Sequence, residues 1–421
     1  MSEPLTGRRY RLRLWWSSLR GITTDALLYA LAAVFALGIG LTSTANAQWH
    51  WGYLAAIPYA VAAVAAAASL KVAPRHETRV RVVLVVLVIA TAVVAPLAME
   101  VRWRTEQPEV TVIQRGATDI ATNGTPYQSY WRDGRLVDPV PHEPAYESFF
   151  PYFPTRTIFG APAAEVKSSS PLSDARIWMT LMTLLTSAFA LRWLRAPRSR
   201  KIRVAQFLIA LPTGALFLAT GGDDMPILAL ILLGVVALQR RANHVAGVSL
   251  GLAAAMKLTA WPVALGALLV AHHHSERRAW RIVALWVTAI VGVTVVPFVL
   301  SDPFAFLSNV VAFPLGLAHV ASPAASPLPG HLLTDLWAPA GHLLTPLTLL
   351  VGGYFTASYA KRHWPLSLGQ LLGILAVFST ALICAASATR VGYLIYPLNF
   401  ALWSSVVSDA PAPAREFAAV A

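Results

Sequence analysis

"VRVVLVVLVIATAVVAPLAM", residues 80–99, carries a single charge, Arg81, at its second position. A helix of that length rises ~30 Å at ~1.5 Å per residue, the thickness of a bilayer's hydrocarbon core. Further apolar runs lie on either side, at 24–43, 52–70, 176–194, 203–219, 225–239, 281–300, 342–360, 367–387 and 391–407. The expectation is an all-α, polytopic membrane protein with about ten full spans.

Composition agrees. The chain has 421 residues, 56% hydrophobic and 13% charged, against roughly a quarter charged in soluble domains. The formal charge of +13 raises nucleic acid as a partner, but its distribution argues against that. Basic residues cluster between apolar runs, in "GRRYRLRLWW", "KVAPRHETRVR", "RAPRSRKIR", "QRR", "SERRAWR" and "AKRH". Such clusters mark the cytoplasmic side of a membrane. Cys384 is the one cysteine, so no disulfide framework exists. "ANA" at 45–47 loosely imitates a signal-peptidase site, but the preceding run is long for a signal peptide and predicts a retained first helix.

These signals divide the chain into a basic cytoplasmic N-terminus (1–23), three transmembrane helices (24–99) and a large extracytoplasmic loop (100–175). A transmembrane core (176–300), a second extracytoplasmic loop (301–341), the last transmembrane helices (342–407) and a cytoplasmic tail (408–421) follow. One region is too short for two spans. Between cytoplasmic clusters, limbs of about thirteen residues within 244–272 would each rise only ~20 Å, predicting a short-helix hairpin that turns at Lys257-Leu258-Thr259.

No Walker motif, dinucleotide fingerprint or zinc spacing is present. His272-His273-His274 beside a basic cluster point around a helix in different directions and make a poor metal site. The remaining ionisable groups stand near hydrocarbon, where they are costly and become functional candidates. Asp119 lies in "GATDIATNGTPYQSYW" (116–131), either as a catalytic acid or as a helix cap. Glu147 precedes "SFFPYFPTRTIFG". Asp223 and Asp224 form "GGDDMP", in which Asp224 also reads as an N-cap before Pro226. Lys257 sits at the hairpin tip, where snorkelling is the bland alternative, and Arg390 falls in "SATRVGYLIYP". An outward acid, an aromatic loop and cations near the membrane suit a lipid-phosphate donor with a polar acceptor.

The succession of Asp119, "NGTPY" and "FFPYFPTRTIFG" resembles the outer-loop pattern of glycosyltransferase family 87, within the GT-C superfamily. "GGDDMPILALILLG", followed by "AGVSLGLAAAMKLTAWP", resembles that family's central segment, and "ASPAASPLPGHLL" and "TRVGYLIYPLNF" are similar to stretches of actinobacterial members. The resemblance implies a GT-C-like bundle that transfers a hexose, mannose in characterised relatives, from a polyprenyl-phosphate sugar to a glycolipid or cell-envelope glycan. That transfer would occur with inversion at the outer face of the plasma membrane. Asp119 matches the catalytic base. Lys257, Arg390 and Arg156 are expected on the donor phosphate. Asp223, Asp224, Glu147, Tyr127 and His331 are expected on the sugar or acceptor. No cofactor is implied, although two adjacent aspartates leave a divalent metal open. In relatives the acid follows the first transmembrane helix, but here Asp119 follows the third: either the first two helices are an added hairpin or the acid lies elsewhere. The competing reading is a lipid-linked-sugar transporter or flippase.

Overall fold

The computed structural model describes residues 21–71, 74–128, 131–132, 135–136, 145–165, 170–274, 277–315, 317, 320, 324–337 and 339–408. The basic N-terminus, the C-terminal tail and the side chains of His272–His274 lie outside the described residues. Apart from a two-residue antiparallel pair, Trp131–Arg132 with Arg135–Leu136, and one bridge between Ala325 and Thr389, regular structure is helical. The chain forms two compact units.

The first unit, Met1–Glu106 with Arg198–Thr220, holds four helices long and apolar enough to cross a membrane: Gly21–Thr42, Asn46–Lys71, Arg75–Trp103 and Arg198–Thr220. The first two pack at backbone contact. A Cβ on Gly52 would stand 2.3 Å from the Gly40 nitrogen, so only small residues permit this approach. Two helices each contain one wider π turn, at Ala90–Val94 and Gln206–Ala210. Both turns give up a carbonyl to the second helix: Trp51 Nε1 donates to Ala92 O at 2.9 Å, and the Tyr59 hydroxyl to Ala210 O at 2.7 Å. Charge is buried here too. Asp25, fully enclosed, accepts from Arg81 Nε at 2.7 Å and pairs with Arg203 Nη2 at 3.1 Å, tying three helices together.

The second unit comprises Gln107–Pro197 and Gly221–Ala421. Its core helix, Met225–Gln239, is apolar on all sides and buried on nearly all of them, packing against Ala175–Trp193 and Asn243–Ala254. Helices Ala340–Arg362 and Leu368–Ala385 complete a set of six that meet span length and hydropathy among the described residues.

That count is smaller than the ten spans expected, and the shortfall has local causes. Met225–Gln239 has only 15 residues. The 281–300 run breaks at Val295, just before Pro297, into Arg277–Thr294 and Val296–Ser301. The 391–407 run begins with a tight turn, Val391–Leu394, before helix Ile395–Ser408. Ala175–Trp193 is long enough but carries Arg176 and Arg192 near its ends. The region 244–272 forms two short helices, Asn243–Ala254 and Trp261–His274, that turn through Lys257.

Candidate active site

The site is built on three turns. The first is Gly221-Gly222-Asp223-Asp224, where Gly221 has φ +102°, a conformation in which a side chain is strained. A Cβ there would also meet Val110 Cγ2 at 2.2 Å, so glycine lets this turn press onto the first turn of helix Pro108–Asn123. Asp224 stands just before helix Met225–Gln239, but its side chain caps no backbone N–H. The capping reading therefore gives way: its carboxylate accepts from Lys257 Nζ and from the Tyr396 hydroxyl, both at 2.6 Å.

The second turn carries Lys257, whose ammonium bridges Asp224 at 2.6 Å and Asp223 at 3.3 Å. Snorkelling is thereby replaced by part-buried ion pairs, and the ammonium occupies the position between the two carboxylates that a bridging cation would need. The third is the tight helical segment Pro154–Phe159 bearing Arg156. It is tied to the second by one backbone bond, Phe153 N–H to Met256 O at 3.1 Å. Arg156 is fully enclosed, and its Nη2 donates to Asp223 Oδ2. Its Nε and Nη1 make no hydrogen bond to any described residue.

Aromatic rings floor this cluster. The Tyr152 ring lies 5.0 Å from the Arg156 guanidinium and 5.5 Å from the Lys257 ammonium, and the Tyr393 ring 5.7 Å from Lys257. Burial alone would raise the Asp223 carboxyl, but Lys257 and Arg156 outweigh it and hold the group below the usual carboxylate range. Burial opposes the charge on Lys257 as well. Asp223 and Asp224 reverse that and hold its ammonium above the usual lysine range.

Arg390 pairs with Glu109, at the start of helix Pro108–Asn123, through Nη1 and Oε1. Its backbone is held by Thr389, which exchanges hydrogen bonds of 2.8 and 2.9 Å with Ala324 and Ser326. Glu109, Asp223 and Asp224 thus face Arg156, Lys257 and Arg390, three charges against three. Arg156 and Asp223 are buried and the other four partly so, and a balanced set of this kind is weak evidence for stability and better evidence for a functional site.

The remaining candidates are distributed differently. Tyr127 is an anchor: its hydroxyl donates to Tyr152 O at 2.8 Å and its ring packs on Phe150, Phe298 and Phe306. His331 reaches Ser387 O with Nδ1 at 2.9 Å, two residues before the Thr389 bridge that precedes Arg390. Glu147 stands in the short turn Ala145–Ser148, next to Tyr146. Asp119 lies in the C-terminal half of helix Pro108–Asn123, accepting from Gln128 Nε2 at 3.2 Å. It caps no N-terminus there, so the cap reading fails. Sequence reasoning missed Glu109, Tyr152, Tyr393 and Tyr396. Of these, the tyrosines at 393 and 396 share the i, i+3 spacing of one helix face, which is a usable signal.

The model of one family, "Glycosyltransferase family 87", matches residues 150–406, more than half of the chain. The matched segment contains Arg156, Asp223, Asp224, Lys257 and Arg390, and begins after both Glu109 and Asp119. No curated protein and no solved structure matches the chain. With its apolar helices and this match, the chain belongs to glycosyltransferase family 87 and is a membrane glycosyltransferase.

Proposed function

We propose that the protein transfers a hexose, with mannose the expected sugar, from a polyprenyl phosphate to a glycolipid or envelope glycan. The reaction takes place at the outer face of the plasma membrane, both termini being cytoplasmic. The observation that supports this most is the Arg156 guanidinium, wholly buried beside Lys257, with two N–H-bearing nitrogens that no described residue uses. Buried donors left unpaired are costly, and an anionic oxygen would satisfy them.

A polyprenyl-phosphate sugar carries one negative charge on its phosphodiester. Cleavage of the anomeric C–O bond leaves a phosphomonoester, so a second negative charge develops in the transition state, where Arg156 and Lys257 stand to receive it. Asp223 and Asp224 keep both cations charged and aimed, and sugar hydroxyls can be shared with these carboxylates. Direct displacement at the anomeric carbon inverts its configuration and requires a base for the acceptor hydroxyl, a carboxylate of helix Pro108–Asn123. The family pattern offers Asp119 for that role, and Glu109 is the other acid on this helix.

The experiment is transfer from radiolabelled polyprenyl-phosphate mannose by the full chain in liposomes. Arg156→Lys should retain the fold and lose transfer ~100-fold or more. Movement of the donor across the bilayer with no glycosidic bond formed would replace this reading with that of a transporter.

A further inference from the structure

Helix Pro108–Asn123 carries two acids inside the second unit, Glu109 in its first turn and Asp119 one turn before its end. Ten residues separate them, ~15 Å along the axis at ~1.5 Å per residue. Glu109 joins the charged cluster through Arg390. One of its oxygens is bound to Arg390, while the other, Oε2, is buried and makes no hydrogen bond to any described residue. Tyr152 feels the charge of both Asp223 and Glu109, and Tyr393 that of Lys257, Arg390, Asp224 and Glu109. Asp119 lies one turn before the helix end, and its carboxylate accepts from Gln128 Nε2.

Building on the glycosyl-transfer reading above, we propose that Glu109 is the base and that Arg390 is shared between Glu109 and the donor phosphate. Without donor, the guanidinium holds the carboxylate. While the guanidinium holds it, the carboxylate is engaged in that pair; once released, its oxygens are open to the acceptor hydroxyl. The arriving phosphate competes for Arg390, and Glu109 is freed when the sugar is in place. The proton of the acceptor hydroxyl then passes to Oε2, and the acceptor oxygen bonds to the anomeric carbon. The bond from that carbon to the phosphate oxygen breaks, its electron pair staying on the phosphate. Arg390 thereby ties base activation to donor loading, which guards the donor against water.

The test compares Glu109→Gln, Glu109→Asp, Arg390→Lys and Asp119→Asn in the full chain. Transfer is measured at saturating donor, and binding of polyprenyl monophosphate is measured separately. Glu109→Gln should slow transfer ~100-fold or more. The same variant should bind polyprenyl monophosphate ~3-fold or more tightly, because the competing carboxylate is gone. Arg390→Lys should weaken that binding, and Asp119→Asn should slow transfer less than Glu109→Gln does. Should Glu109→Gln fail to fold, Glu109→Asp, which retracts the carboxylate by one methylene, should lower the rate at saturation without weakening binding. Wild-type transfer in Glu109→Gln, or its loss in Asp119→Asn alone, overturns the proposal and leaves the glycosyl-transfer reading standing. If the wild-type chain forms no glycosidic bond, that reading fails, and this one with it.

Discussion

Phe153 gives its backbone N–H to the carbonyl of Met256 at 3.1 Å, and this bond sets Arg156 and Lys257 side by side over the Tyr152 ring. The two cations come from segments 101 residues apart (257 − 156), so no local sequence rule unites them.

Asp223 serves both cations, whereas Asp224 serves Lys257 and a tyrosine hydroxyl. Asp223→Asn should therefore cost more stability than Asp224→Asn. Removing one partner of a buried pair is worth ~3–5 kcal/mol. Thermal unfolding in detergent measures this, and equal losses for the two variants would contradict the geometry.

The pH dependence follows in sign from the same pair. Asp223 is depressed below the carboxylate range, so its contribution is present above the ordinary value of ~3.9 and is lost as pH falls through the folded value. Lys257 is raised, so its contribution is full below ~10.4 and is lost as pH rises through its folded value. The stability gap between wild type and Asp223→Asn should stay flat from about pH 5 to 9 and narrow only below ~4. A gap that changes across neutral pH would show that the pair is not ionised as described.

Gly221→Ala faces both its φ of +102° and the 2.2 Å approach of Val110. The expected loss is ~2 kcal/mol or more, with transfer falling as the Asp223 turn shifts. Adding Val110→Ala should relieve the clash and leave the backbone strain, so melting of the double variant should recover only in part.

In the first unit, Tyr59→Phe deletes the hydroxyl bond to Ala210 and leaves that carbonyl buried without its donor. The expected cost is ~1–3 kcal/mol, with donor affinity in the second unit unchanged. A melt with donor-binding data distinguishes this from a change at the site.

How much was legible in the sequence depended on what each residue answers to. The run at 80–99 announces a spanning helix, because a chain that long and that apolar has few other stable fates. Met225–Gln239 looks much the same for a different reason: its residues are apolar because protein surrounds them, and its 15 residues were counted as a full span. Among the candidate groups, Asp223, Asp224, Lys257 and Arg390 stand out from hydrocarbon-like surroundings, and the structure ties each into an ion pair. Their pairing was hidden, since Lys257 and Arg156 lie 34 and 67 residues from Asp223. Glu109 was hidden altogether: in "EQPEV" it reads as a loop acid, and only its meeting with Arg390 sets it apart from its neighbours.

The two π turns of the first unit have a mechanical consequence. Trp51 and Tyr59, eight residues apart, catch the carbonyls of Ala92 and Ala210 on two different neighbours, roughly 12 Å apart along their own helix. A slip of one residue, ~1.5 Å, would pull both donors off their acceptors at once. The helix is bolted at two points, so it cannot slide past its neighbours along its axis; any displacement must carry all three helices together.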